Sequence, residues 1–271
     1  MRVILLRRAL TATDPAQNHI DCSEASRHIM ARPDKLTPRR SPRNRKPSIV
    51  EGPSTIRKTR TAMDGMSVRP CHRRLMKKTP FNILINIPKM QFQSELLDVI
   101  VSSYNEDGDF FELGGQPIYL TAEDIALIIG LPAFGETPKL DSSATESKIK
   151  SRFFSNNSMI TRGVLKDKMS SLVDSDNPRD IKDFVRLWIA FIFACFLFPI
   201  GHYNCPMPLL TILDDLNSTC NYAWFVAIRN QIMEGVRKQR VCIAERNEGQ
   251  YPKSSMGYVF GCTAVLCVSI S

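Results

Sequence analysis

Residues 187–198 read LWIAFIFACFLF, twelve residues from Leu187 to Phe198 without a charge. Asp183 and Arg186 precede the run, Pro199 closes it, and Gly201, His202, Asn204, Pro206 and Pro208 prevent its continuation. A helix apolar on every side is either embedded in a membrane or central to a core. A spanning helix needs about 20 apolar residues. The length of this run therefore predicts a core helix over residues 181–198 and no membrane contact.

The flanking segments supply layers to cover such a helix. Residues 93–102 place Leu96, Leu97, Ile100 and Val101 at helical spacing. Residues 110–113 and 117–120 flank Gly114-Gly115, whose freedom at positive φ suits a tight hairpin. Thr121 is placed to cap the next helix, with Glu123 and Asp124 in its first turn, where acids complement the macrodipole. Ile125, Ile128 and Ile129 face inward, and Gly130 and Pro132 end the helix. A polar loop is expected over residues 137–147, then helices over 148–154 and 161–173, the second with Val164, Leu165, Met169 and Leu172 on one side. A short helix follows at 208–216. Asn221 is expected to cap a long helix over 221–239, in which Trp224, Ile228 and Ile232 stack and Glu234 pairs with Lys238. A last apolar element begins in residues 257–270, and the chain stops inside it. The fold class expected is mainly α: a helical domain with one small β-hairpin over residues 81–271, preceded by a disordered basic arm over residues 1–80.

Charge separates the same two regions. The chain has 271 residues, and the first 80 hold 19 Lys+Arg against 6 Asp+Glu, a net of +13. The remaining 191 hold 17 against 21, a net of −4. This excludes a uniformly basic domain, and eight cysteines are too sparse for a disulfide scaffold. The first 80 residues also carry 8 of the 17 prolines and no apolar periodicity after residue 10, so they bury too little surface to offset their ordering entropy. Arg39, Arg40, Arg43, Arg45 and Lys46 form one cationic run, Arg57, Lys58 and Arg60 a second, and residues 73–78 (RRLMKK) a third. Such runs read as nuclear-import signals or as phosphate contacts to nucleic acid. The arm has no aromatic before Phe81, which excludes base stacking. Arg2, Arg7 and Arg8 precede the first acid, Asp14, so a mitochondrial or plastid transit peptide is the alternative to a nuclear address.

No chemistry is spelled out by the residues. There is no Gly-rich phosphate loop of known spacing. Cys22, Cys71, Cys195, Cys205, Cys220, Cys242, Cys262 and Cys267 include no Cys-x-x-Cys. His202 with Cys205, Cys195 and Cys220 is the best zinc candidate, but the spacing fits no structural zinc module. His202 with Cys205 is the one conceivable nucleophile–base pair, because His19, His28 and His72 fall in the arm. The adjacent pairs Glu123-Asp124 and Asp214-Asp215 diverge by about 100° on a helix and do not share a site.

Four stretches together resemble the plant mobile domain, also called the aminotransferase-like plant mobile domain. They are residues 110–132 (FFELGGQPIYLTAEDIALIIGLP), 184–199 (FVRLWIAFIFACFLFP), 221–225 (NYAWF) and 257–266 (GYVFGCTAVL). The motif positions are Thr121, Glu123, Asp124, Gly130, Leu131, Pro132, Phe184, Arg186, Pro199, Tyr222, Trp224, Gly261 and Cys262. The resemblance implies a helical domain related to plant transposons, with some host members in nuclear silencing and genome maintenance. It brings no catalytic residue and no cofactor; the word aminotransferase implies no pyridoxal chemistry. The family's usual Trp lies beyond Cys267 and Ser271, which implies a C-terminally incomplete, truncated member.

The function expected is therefore a non-enzymatic, transposon-derived nuclear domain that contacts protein or chromatin, with no small-molecule substrate. The alternatives are non-specific nucleic-acid binding through the basic arm, or the N-terminal part of a SUMO-protease-like or transposase polyprotein.

Overall fold

The structure is a computed structural model that describes residues 68–86, 94–140, 146–155, 159–200, 205–247 and 261–270. Arg39, Arg40, Arg43, Arg45, Lys46, Arg57, Lys58 and Arg60, the segment 1–13, His19, His28, Cys22, His202 and residues 257–260 lie outside the described residues.

The described chain is mainly helical with one small antiparallel sheet. Helix α1 (Pro70–Met76) leads into a 3-10 turn (Pro80–Asn86) and α2 (Ser94–Ser102). Strands β1 (Tyr104–Asn105), β2 (Phe110–Leu113) and β3 (Gln116–Ile118) follow. Then come α3 (Ala122–Ile129), α4 (Lys148–Phe153), α5 (Arg162–Leu172) and α6 (Pro178–Ile192), which continues as a π turn (Phe193–Leu197). The chain goes on through α7 (Met207–Leu213), a 3-10 turn (Ser218–Asn221), α8 (Trp224–Asn247) and α9 (Thr263–Ile270).

Local chemistry sets these boundaries. Asn177 caps α6 by accepting from the Arg179 amide at 2.9 Å, and Pro178 occupies the first turn, where its missing N–H costs nothing. Thr121 and Asp124 form a reciprocal capping box on α3: the Asp124 amide donates to Thr121 Oγ1 at 3.1 Å, and the Thr121 amide to Asp124 Oδ2 at 3.0 Å. Gly130 ends α3 at φ 80°, a left-handed cap, and the Leu131 amide returns to the Ala126 carbonyl at 3.0 Å.

The charge-free run lies at the centre of the fold. Every residue from Leu187 to Phe198 is buried, and α6 is packed by α1, α5 and α7. Among the described residues no helix is long and apolar enough to cross a membrane. Helix α8 packs on α2 and α3, and α9 on the same pair. An aromatic cluster joins the two groups. Phe81 and Phe193 each place their ring 5.1 Å from that of Trp224, and Phe198 reaches it at 6.2 Å. The π turn permits this. Residues five apart on an α-helix point about 140° away from each other, whereas the Phe198 amide donates to the Phe193 carbonyl at 2.9 Å and brings the two rings to 5.4 Å.

Four expectations are corrected. Residues 70–80 are not part of a disordered arm: α1 begins at Pro70, and His72, Met76, Thr79 and Pro80 are buried. The cations around them hid an inward face of His72 and Met76. Asn221 does not cap α8; it ends a 3-10 turn, and α8 starts three residues later. The sheet has a third strand, with Tyr104 opposite Phe111. The expected short helix at 208–216 is α7, and the turn after it begins at Asp214.

Candidate interaction surface

The four motif stretches meet in the fold, and most of their side chains hold it together. The Gly-Leu-Pro loop after α3 reaches the Tyr-x-Trp stretch. The Glu136 amide donates to the Asn221 carbonyl at 2.9 Å, and the Ala223 amide to the Glu136 carbonyl at 2.7 Å. Glu136 thereby bridges to Tyr222 in parallel fashion. Trp224 is buried and donates its indole N–H to the Thr219 carbonyl at 2.7 Å. The Phe-Pro stretch meets the Gly-Cys stretch: the Gly261 amide donates to the Pro199 carbonyl at 3.3 Å. Gly261 has φ 98° and leaves only 3.0 Å between an added Cβ and Ile232 Cα, so glycine is required by backbone and neighbour alike. Cys262 is buried, and burial pushes its thiol pKa up, as it does for Cys205. Both are therefore inert thiols rather than nucleophiles at neutral pH.

Arg186 is a tie between helices. Its Nη1 donates to Asp183 Oδ1 at 2.8 Å and its Nη2 to the Asp214 carbonyl. Asp183 is 3% exposed and takes a second guanidinium, that of Arg152, which also reaches Asp180 at 2.8 Å. A buried carboxylate is tolerated because both its oxygens are paired. The Asp214 carboxylate in turn accepts from the Lys148 and Ile149 amides at 2.8 and 3.2 Å, capping α4 together with Ser147. Its neighbour Asp215 accepts from the Asn217 amide instead, so the adjacent acids serve different backbones. The cleft here, about 580 Å³, is lined by Lys148, Arg152, Arg179 and Asp214. The anion position at its helix end is already taken by Asp214.

A second carboxylate organises the hairpin. Asp109, at φ 51°, accepts from Arg229 Nη2 at 2.5 Å, from Tyr104 Oη at 2.7 Å and from Arg237 at 3.4 Å. Burial works against its charge, but the Tyr104 and Arg229 hydrogen bonds and both guanidinium charges hold its pKa below the ordinary value. Arg229 Nε also donates to the Leu120 carbonyl at 2.7 Å, beside Thr121. A cleft of about 510 Å³ lies over these groups, lined also by the exposed Tyr119.

Beside polar groups such as Thr121 and Glu123, some large apolar side chains near the motifs are exposed. Leu127 on α3, Phe134 just after the Gly-Leu-Pro loop, and Ile83 are exposed at 58%, 66% and 49%. Ile83 Cδ1 lies 2.5 Å from where a Cβ on Gly130 would sit, so it borders the same loop. Large apolar side chains held at the surface are candidates for contact with a partner. Phe134 and Ile83 carried no periodic signal in the sequence, and only their place beside the motif loop singles them out. Of the zinc candidates, Cys220 is exposed, with its Sγ 3.5 Å from the Lys78 carbonyl, while Cys195 and Cys205 are buried.

A model of a family described as a domain of unknown function, DUF8566, matches residues 56–267. Protein MAIN-LIKE 2 of Arabidopsis thaliana is 23% identical over 169 residues, which cover 59% of this chain and 25% of that protein. The chain thus spans a quarter of the length of this relative, and the similarity supports the plant mobile domain resemblance at a distance. No solved structure matches the chain.

Proposed function

The chain belongs to the DUF8566 family over most of its length, and on that premise we propose that it is a non-enzymatic, transposon-derived domain acting in the nucleus through protein or chromatin contacts. The distant similarity to Protein MAIN-LIKE 2 fits a transposon-derived domain. The observation that carries the interaction reading is Phe134. It is 66% exposed, on a loop whose backbone is pinned between two motif stretches through Glu136 and Tyr222. A large ring on a fixed backbone loses little entropy on binding, which suits an interface anchor.

The test is a photocrosslinking phenylalanine analogue at position 134 of the full chain, produced in plant cells. The expected result is a small, reproducible set of nuclear proteins crosslinked from position 134 and absent from a control at the exposed Val241. Equal crosslinking from both positions, or a fluorescent fusion excluded from the nucleus, overturns the proposal.

A further inference from the structure

Helix α1 carries a charge pattern that the proposed function does not use. Residues 68–80 hold Arg69, Arg73, Arg74, Lys77 and Lys78 and no acid. Arg69 is occupied: it pairs with Asp176 and donates to the Val173 and Ser175 carbonyls at 3.2 and 3.1 Å. The other four are exposed, and among the described residues none forms an ion pair. Arg73 and Arg74 lie in the last turn of α1, and Lys77 and Lys78 in the turn that directly follows it, so the four cations are contiguous along one exposed edge. His72 and Met76 occupy the opposite, buried face.

The backbone that carries them is hydrogen-bonded. The Lys77 amide donates to the Arg73 carbonyl at 3.0 Å, and the Lys78 and Thr79 amides to those of Leu75 and Met76 at 3.0 and 2.9 Å. Arg69 fastens the start of the helix to the loop between α5 and α6. Import receptors grip extended cationic peptides, and this backbone is a helix followed by a turn, with His72 and Met76 buried, so it does not serve as such a signal. A membrane-surface helix needs an apolar face free to enter lipid, and here that face is inside the fold. Clustered cations on an ordered backbone, without stacking aromatics, suit phosphates rather than bases.

We propose that Arg73, Arg74, Lys77 and Lys78 form a site for the sugar-phosphate backbone of duplex nucleic acid, without sequence readout. The site belongs to the folded body rather than to the arm, and it does not depend on the nuclear reading. Each phosphate contact contributes about 0.9 to the slope of log affinity against log salt.

The experiment uses the full chain, a labelled mixed-sequence DNA duplex, and anisotropy titrations between about 50 and 200 mM salt. Changing Arg73, Arg74, Lys77 and Lys78 to Gln is expected to leave the melting temperature in place and to reduce the slope by about 3–4. The pair Arg74→Gln with Lys78→Gln should give about half that reduction, so the measurement survives if the fourfold variant folds poorly. A variant with Arg39, Arg40, Arg43, Arg45 and Lys46 changed to Ala should keep the α1-dependent part of the slope. An unchanged slope in both α1 variants, or no duplex binding by the wild type, overturns the proposal. Loss in the α1 variants of binding to phosphatidylserine vesicles, with duplex binding intact, also overturns it and assigns the patch to a membrane.

Discussion

The ring of Phe193 lies 5.1 Å from that of Trp224. The contact joins the π turn ending the charge-free helix to the start of α8, so two motif stretches distant in sequence form one core. Removing the indole leaves a cavity that the surrounding Phe81, Phe193 and Phe198 rings cannot fill without leaving their own contacts. Trp224→Ala is expected to cost about 3–5 kcal/mol in urea unfolding. A loss below about 1 kcal/mol would mean that the cluster is loosely packed. Phe193→Asp should abolish the cooperative transition, because an unpaired buried charge is very costly.

Asp183 holds two guanidinium groups while almost fully buried. Asp183→Asn keeps the shape and removes the charge, leaving Arg186 without a carboxylate partner and Arg152 with Asp180 alone. Because Arg152 is partly exposed, the expected cost is about 3 kcal/mol, the low end for breaking a buried pair. Chemical denaturation checks it, and an unchanged midpoint would show that the ion pairs carry no net stability.

His72 is fully buried, its ring stacked 3.9 Å from that of Phe184, and among the described residues neither ring nitrogen has a hydrogen-bond partner. Burial, with the Arg69 charge, lowers its pKa. The unfolded chain then takes up a proton near pH 6.5 that the folded chain refuses, so stability falls as pH drops below that value. The limiting slope for this one group is about 1.4 kcal/mol per pH unit. Unfolding curves between about pH 7.5 and 5.5, compared for wild type and His72→Phe, should show a shallower dependence in the variant. Parallel curves would remove His72 as the titrating group.

Two glycines should respond with opposite sign. Gly261→Ala forces a side chain onto a left-handed backbone and against the Ile232 backbone, with an expected loss above about 1 kcal/mol. Gly163 lies on the exposed side of α5, and an added Cβ there meets only Thr161 Oγ1 at 3.9 Å. Gly163→Ala is expected to stabilise by about 0.5–1 kcal/mol, through helix propensity and a less free unfolded chain. Thermal melts of the two variants against wild type decide it, and equal shifts would contradict the account.

The elements legible in the sequence were those whose local chemistry and burial agree. The α3 capping box, its Gly130 end, the Gly114-Gly115 hairpin and the central helix are of this kind. Helix α1 was hidden because composition outweighed pattern: Arg73, Arg74, Lys77 and Lys78 sit between His72 and Met76, and histidine is a poor indicator of a core face. The displaced start of α8 has a tertiary cause, since the Trp224 indole claims the Thr219 carbonyl and draws residues 218–221 into a 3-10 turn. The Asp109 and Asp183 networks join residues far apart in sequence, and no spacing rule finds such pairings in one chain. The motif positions were legible as positions, but their roles as caps, ties and packing contacts emerged only once the segments were seen to meet.

The central claim is that the four motif stretches build one cooperative core. Native-state hydrogen exchange tests it most directly. Amides in residues 122–131, 187–198, 224–236 and 263–266 should share one opening free energy, equal to that of global unfolding. Rapid independent exchange in residues 187–198, or protection there only after detergent is added, would contradict the account.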